Sequence, residues 1–284
     1  MSSPPTVAWL AGRLVPFAEA VVPICDRGLQ RGESLYEVLP VTAGGPRHLA
    51  AHAARMAEGA RALGLEAGAP DVEGWRAIAG ALIEAEGLDE GLLYAQLTGG
   101  AVLRRHLAAP RPCFFAYLTP HHFPRAAEVE HGMSAITLPD ERWARCDYKT
   151  TMLLPAVLAK RAAAAHGADE ALLVAPDGTV REGASTTLFV VRRGRIVSPA
   201  PSRHLLPGTT SQLVTAAAAE AGVELHYGDV RVADLRVADE VFIAATSLLA
   251  MPVRTLDGRG VGDGTAGPVA TDLARRLRQR LRLE

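Results

Sequence analysis

The chain has 284 residues, of which 49% are hydrophobic and 21% charged, with a formal net charge of −1. This is a globular composition, large enough for one sizeable core or two compact ones, and it excludes a disordered chain. The near-neutral balance provides no global attraction to nucleic acid or to an anionic membrane.

Residues 7–14 read as a hairpin turning at Ala11 and Gly12, followed by a charged, glycine-containing loop over 26–33. A strand is expected over 35–41, then a helix over 49–63 whose Leu49, Ala53, Met56, Ala60 and Leu63 share one face. A second helix over 72–85 and strands over 91–98 and 112–118 complete the first third, and residues 120–124, with His121 and His122, read as a linker. Beyond it the pattern predicts a strand over 134–138 and a helix over 152–166 with Pro155 in its first turn. A strand over 171–175 turns at Pro176, Asp177 and Gly178, and a hairpin pairs 187–191 with 195–198. A helix reaching Ala221, strands over 240–244 and 251–254, and an Arg-faced helix over 271–283 close the chain. The expected architecture is α+β (mixed α/β) in two domains: residues 1–119, a linker over 120–125, and a larger domain over 126–284 that carries Lys149.

The segment from Met1 to Pro5 lacks the basic and apolar regions of a signal peptide, and the longest apolar stretch, 241–253, is too short to span a bilayer. Cys25, Cys113 and Cys146 are odd in number and have no metal-type spacing, which fits a reducing cytoplasm. The adjacent His121 and His122 do not make a metal site by themselves.

Of the 30 basic residues only Lys149 and Lys160 are lysines, so the other 28 are arginines. A coding bias of the source accounts for such a ratio equally well, but a lysine that persists in this chain invites a reason why Arg would not serve: a guanidinium stays protonated and is no nucleophile. Lys149 sits between a predicted strand and helix, where a solvated helix-start lysine is the commoner case. Glu182 stands beside Gly183, which permits close approach of a ligand, although a plain surface Glu fits the same pattern. Pro207-Gly208-Thr209-Thr210 precedes a helix and could hold an anion, or be a simple N-cap. Arg104 and His106 are two apart in a loop and could present donors to a carboxylate; His52 and Arg55 share a helix face. No Walker loop and no Gly-x-Gly-x-x-Gly fingerprint is present.

The order of these motifs is more specific than any one of them. Asp26-Arg27-Gly28 through Tyr36-Glu37-Val38, Leu49-x-x-His52-x-x-Arg55, Cys146-Asp147-Tyr148-Lys149, Glu182-Gly183-Ala184-Ser185-Thr186, Leu206-Pro207-Gly208-Thr209-Thr210 and Ala245-Thr246-Ser247 resemble the class IV, or fold type IV, pyridoxal-phosphate aminotransferases. The resemblance runs from about residue 20 to the C-terminus. Within that family the nearest pattern is that of the D-amino-acid aminotransferases, because Arg104-x-His106 follows Tyr94-Ala95-Gln96-Leu97-Thr98-Gly99-Gly100. Gly99 stands where those enzymes usually have Arg, and 245–249 is more apolar than their version.

The resemblance implies pyridoxal 5'-phosphate held as a Schiff base on Lys149, whose freed amine then moves the proton at the substrate α-carbon. It implies Glu182 at the ring nitrogen, Arg55 on the phosphate, and Ser185, Leu206, Thr209, Thr210 and Thr246 around the cofactor. Tyr36, Arg104 and His106 would hold the α-carboxylate, the last two entering from a partner subunit, so a homodimer with composite sites follows. The expected reaction is ping-pong transamination of a D-amino acid such as D-alanine with a 2-oxo acid such as 2-oxoglutarate or pyruvate. A 4-amino-4-deoxychorismate lyase and an (R)-selective amine transaminase are the alternatives on the same scaffold. A non-catalytic cofactor-binding protein is disfavoured by the joint presence of Lys149, Glu182 and Arg55.

Overall fold

The computed structural model describes residues 4–283; Met1, Ser2 and Ser3, part of the segment read for a leader, lie outside the described residues, as does Glu284. The chain clusters into two compact units. The first runs to His122 and also takes in Tyr148–Met152; the second holds Phe123–Asp147 and the chain from Leu153 onward. Lys149 therefore belongs with the first unit, whereas the sequence reading placed it in the C-terminal domain. The cause is backbone pairing: Tyr36 N donates to Lys149 O (3.0 Å) and Thr151 N to Ser34 O (3.2 Å).

In chain order the first unit contains β1 (Val7–Leu10), β2 (Arg13–Pro16), α1 (Arg27–Arg31), β3 (Ser34–Thr42), β4 (Gly45–Pro46), α2 (Leu49–Leu63), α3 (Val72–Glu86), β5 (Gly91–Thr98) and β6 (Cys113–Pro120). Its six strands lie in the order β2-β1-β6-β5-β3-β4, and β3, β5 and β6 pair antiparallel. Alternation along these strands puts Leu35, Leu39, Leu93, Ala95, Leu97, Ala116 and Leu118 into one core with Met56 and Ala60 of α2 and Trp75 and Leu82 of α3. The opposite face carries the half-buried Tyr36, Tyr94 and Tyr117, whose rings stack at 5.8 and 5.1 Å.

The expected loop over 26–33 contains the short helix α1. Asp26 caps it, accepting from Gly28 N and Leu29 N, and Gly32 at φ +67° ends it. Five residues are too few to show a helical period in the sequence.

The second unit contains α4 (Ala126–His131), β7 (Met133–Pro139), α5 (Leu154–Ala165), β8 (Glu170–Val174), β9 (Val180–Gly183), β10 (Thr187–Arg192), β11 (Arg195–Pro199), α6 (Thr209–Glu220), β12 (Leu225–Gly228), α7 (Val232–Arg236), β13 (Glu240–Ala245), β14 (Leu249–Leu256), β15 (Arg259–Gly260) and α8 (Pro268–Arg280). The sheet order is β12-β11-β10-β13-β14-β7-β8-β9, with β15 on β14. The pairs β14–β7 and β7–β8 are parallel, while β13 runs antiparallel to both β10 and β14. Phe189 and Phe242 lie opposite each other on β10 and β13 and stack at 4.8 Å in the core.

Helix α5 starts two residues later than the sequence pattern predicts, with Pro155 in its first turn. Helix α8 begins where Val269 N and Ala270 N both donate to the buried Glu240 carboxylate at 2.9 Å. Among the described residues no helix is long and apolar enough to cross a membrane.

Candidate active site

Lys149 follows the end of a coil that pairs with the free edge of β3, where Leu35 and Thr150 form an antiparallel bridge. This pairing fixes the lysine backbone beside Tyr36. Its ammonium lies 4.2 Å from the centroid of the Tyr36 ring, a cation–π contact that holds the amine over an aromatic face. Thr151 Oγ1, two residues on, is a buried hydroxyl without a hydrogen-bond partner among the described residues.

The neighbouring residue on β3 faces the other way. Glu37 lies on the core side with Leu35 and Leu39, where a charge is costly unless paired. It is paired by α2: Arg55 donates Nε to Oε1 (2.7 Å) and Nη2 to Oε2 (2.6 Å), and His52 Nδ1 lies 2.7 Å from Oε2. Burial by itself would raise the Glu37 pKa, but the hydrogen bonds from Arg55 and His52 outweigh it and hold it at about 2. Arg55 is thus fixed in orientation by a bidentate fork before any ligand arrives.

Glu37→Ala should cost about 3–5 kcal/mol in urea unfolding, because it leaves a buried cation without its carboxylate. The wild type should also lose about 3 kcal/mol as the pH falls from 4.5 through 2, a slope the variant lacks. The sign follows from a depressed carboxylate, whose contribution is complete above the unfolded value and disappears as the folded group takes its proton. A loss of only a few tenths of a kcal/mol would mean that the pair acts like a solvated one.

Arg104 and His106 lie in the exposed loop that joins β5 to β6. The base of that loop is held by α1. Arg27 Nη1 donates to Ala108 O (2.6 Å) and Arg27 Nε to Glu33 Oε2 (2.7 Å), while Arg27 N donates to Gly100 O (3.0 Å). Arg31 Nη1 lies 3.5 Å from His106 Nδ1 and its Nη2 3.5 Å from Arg105 O. The opening motif is therefore the anchor of the Arg-x-His loop, a role that the sequence did not reveal.

In the second unit Glu182 sits near the end of β9 and is buried. Arg142 Nη1 donates to its Oε1 at 2.5 Å, and Leu206 N donates to Oε2 at a longer 3.4 Å. Burial raises the Glu182 pKa to about 7 against the pull of Arg142. Arg142 is itself gripped by Asp140 through Nε and Nη2, both at 3.0 Å.

Ser185 follows on the turn after β9, with its hydroxyl 3.4 Å from Glu170 Oε2, so Glu170 already engages that oxygen. Lys160, the other lysine, donates to Asp169 O (2.8 Å) and lies 3.3 Å from the buried Glu170, which gives it a structural task.

Thr209 and Thr210 form the buried first turn of α6, whose N-cap Gly208 supplies no side-chain cap. A Cβ at Gly208 would come within 2.7 Å of Thr187 Oγ1, so only Gly leaves this approach open. Amides at an uncapped 12-residue helix start, with two adjacent hydroxyls, suit a phosphate. Thr246 lies in the tight turn between β13 and β14. Leu249, just after it, has a left-handed φ of +59°, an unusual strain for a buried leucine.

The first unit carries a lysine amine over an aromatic ring and a rigidly forked arginine, and the second a buried carboxylate and an open helix start, each a kind of group that suits pyridoxal phosphate. The pattern described as amino-transferase class IV matches residues 34–256. The chain belongs to the class IV aminotransferases.

A D-alanine aminotransferase of Bacillus licheniformis is 34% identical over 264 residues, 92% of each chain. One of Staphylococcus aureus (strain MSSA476) is 32% identical, covering 93% of this chain and 94% of its own. Among solved structures, the T.th. branched-chain amino acid aminotransferase complexed with N-(5'-phosphopyridoxyl)-L-glutamate aligns with a TM-score of 0.88 at 28% identity, over 99% of this chain and 96% of that one. The branched-chain aminotransferase of Thermoproteus uzoniensis with norvaline aligns with a TM-score of 0.87 at 25% identity, over 98% and 96%. As a class IV aminotransferase the protein is a pyridoxal-phosphate-dependent transaminase of amino and 2-oxo acids.

Proposed function

We propose that this transaminase acts on D-amino acids such as D-alanine, passing the amino group to a 2-oxo acid such as 2-oxoglutarate in two half-reactions. The observation that carries this reading is the Arg104-x-His106 pair on a loop tied down by Arg27 and Arg31. Its support from relatives is the D-alanine aminotransferases that match over nearly their full length.

When bound, pyridoxal phosphate supplies the electron sink for the pair left on the substrate α-carbon. Lys149 Nζ would hold the cofactor and would take and return the proton at the substrate α-carbon. Glu182 keeps the ring nitrogen protonated by opposing it with a carboxylate. Arg55 would grip the phosphate, joined by the Thr209 and Thr210 hydroxyls and amides and by Thr246, with Ser185 and Leu206 elsewhere around the cofactor. Tyr36, Arg104 and His106 hold the α-carboxylate. Which side of the site anchors that carboxylate decides which enantiomer presents its α-proton to a lysine fixed on one face.

The reading includes a homodimer in which the Arg104 and His106 loop completes the partner's site, and a cytoplasmic location. Leu103 and Leu107 on that loop are 77% and 99% exposed, and α5 leaves Leu154, Val157 and Leu158 along one exposed face. Bulky apolar groups in water beside functional residues favour a covering subunit.

The test is a substrate panel. D-alanine with 2-oxoglutarate should yield pyruvate, and L-leucine, a simple (R)-amine and 4-amino-4-deoxychorismate should react poorly. Absence of pyruvate from D-alanine, with turnover of any of the other three, would overturn the D-amino-acid assignment.

A further inference from the structure

We infer that Arg142 is a positioning residue for Glu182: it fixes the orientation of that carboxylate and keeps it ionised where it meets the cofactor ring. The inference rests on the reading of Glu182 as the ring-nitrogen partner and adds the groups that make that role possible.

Four charges form a line within the second unit. Arg181 Nη1 donates to Asp140 Oδ2 (2.9 Å), Asp140 holds Arg142 through Nε and Nη2 (3.0 Å each), and Arg142 Nη1 reaches Glu182 Oε1 (2.5 Å). Arg142 Nη2 also donates to His204 O (3.3 Å), and Arg142 N to Asp140 Oδ1 (3.0 Å). The two ends of the line carry opposite charge and the whole is neutral, which lowers the cost of placing it out of water. With Nε, Nη1 and Nη2 all engaged, the guanidinium cannot swing away, so the direction of its bond to Glu182 is set.

This arrangement divides the work of the Glu182 oxygens. Oε1 is committed to Arg142, and among the described residues Oε2 has only the long contact from Leu206 N. Oε2 is therefore the oxygen left to face a ring N–H. Burial drives Glu182 towards its neutral form, and a neutral carboxyl would oppose the protonated ring only weakly. Without Arg142 the Asp140 carboxylate, whose charge adds to that drift, would go unopposed by it. A cation on the far side of the carboxylate is what keeps it an anion.

The test is a double-mutant cycle on the reconstituted apoenzyme, read as the dissociation constant of pyridoxal phosphate by absorbance titration above and below pH 7. Arg142→Met should weaken cofactor binding by about 10- to 100-fold, the scale of one charge-assisted hydrogen bond. It should also move the pH midpoint of binding upward, because Glu182 then ionises later. In a Glu182→Gln background the same change should have little further effect. Arg142→Lys, which retains the charge on a single donor, should restore the midpoint but only part of the affinity.

Independent, multiplying effects of Arg142→Met and Glu182→Gln, with an unmoved midpoint, would overturn the inference while leaving Glu182 in its role. A Glu182→Gln protein with wild-type affinity and a wild-type cofactor spectrum would instead remove the reading on which the inference rests. If Arg142→Met does not fold, Arg142→Gln also removes the cation and should shift the midpoint in the same direction; no shift there counts against the inference.

Discussion

Lys149→Ala should give a folded protein that shows no absorbance band from a lysine-linked cofactor and transaminates roughly 100- to 10,000-fold more slowly, or not at all. The amine is the group that both attaches the cofactor and moves the α-proton, and the fold commits considerable structure to placing it. Its backbone is paired to β3 at Tyr36 and Ser34, and its ammonium sits 4.2 Å over the Tyr36 ring. No second amine can stand in, because the only other lysine, Lys160, is tied to Asp169 O and Glu170. Lys149→Arg should fail equally, since it preserves the charge and the contact with the ring but not the nucleophile. Activity within tenfold of wild type in either variant would place the chemistry elsewhere.

Arg104→Ala should raise KM for amino acids by about 10- to 100-fold, the loss of one charge-assisted carboxylate contact. Turnover of an amine without a carboxylate should be unchanged, since it never uses that contact. The comparison isolates the role: a loop that merely collapsed would injure both substrates. Equal losses would show that Arg104 supports the loop and does not read the carboxylate. The loop should remain in place in the variant because its anchors are Arg27 and Arg31 on α1, and not Arg104.

The elements with a clear period were legible in the sequence. Helix α2 has the bounds expected for it, and β5 spans the expected strand, since each buries one face more deeply than the other. Strand β9 was missed because Arg181 and Glu182 make it look like a polar connection, and their burial depends on partners far away in the chain. Likewise β14 begins at Leu249, before the strand that was read, through a left-handed leucine that no propensity would predict.

The same division holds for the site. Glu37 could have been found, because its parity along β3 places a charge among Leu35, Leu39 and Val41, which demands a partner. Arg142 could not, since nothing in the sequence distinguishes it from the more exposed Arg145 three residues later. The anchoring role of Arg27 depends on Ala108, a contact across 81 positions that only the folded chain reveals.

The most direct measurement follows from the lysine count. Holoenzyme reduced with borohydride, digested and analysed by mass spectrometry should carry a phosphopyridoxyl group on the peptide containing Lys149 and none on the peptide containing Lys160. Label on Lys160, or on neither lysine in a protein saturated with pyridoxal phosphate, would contradict the account.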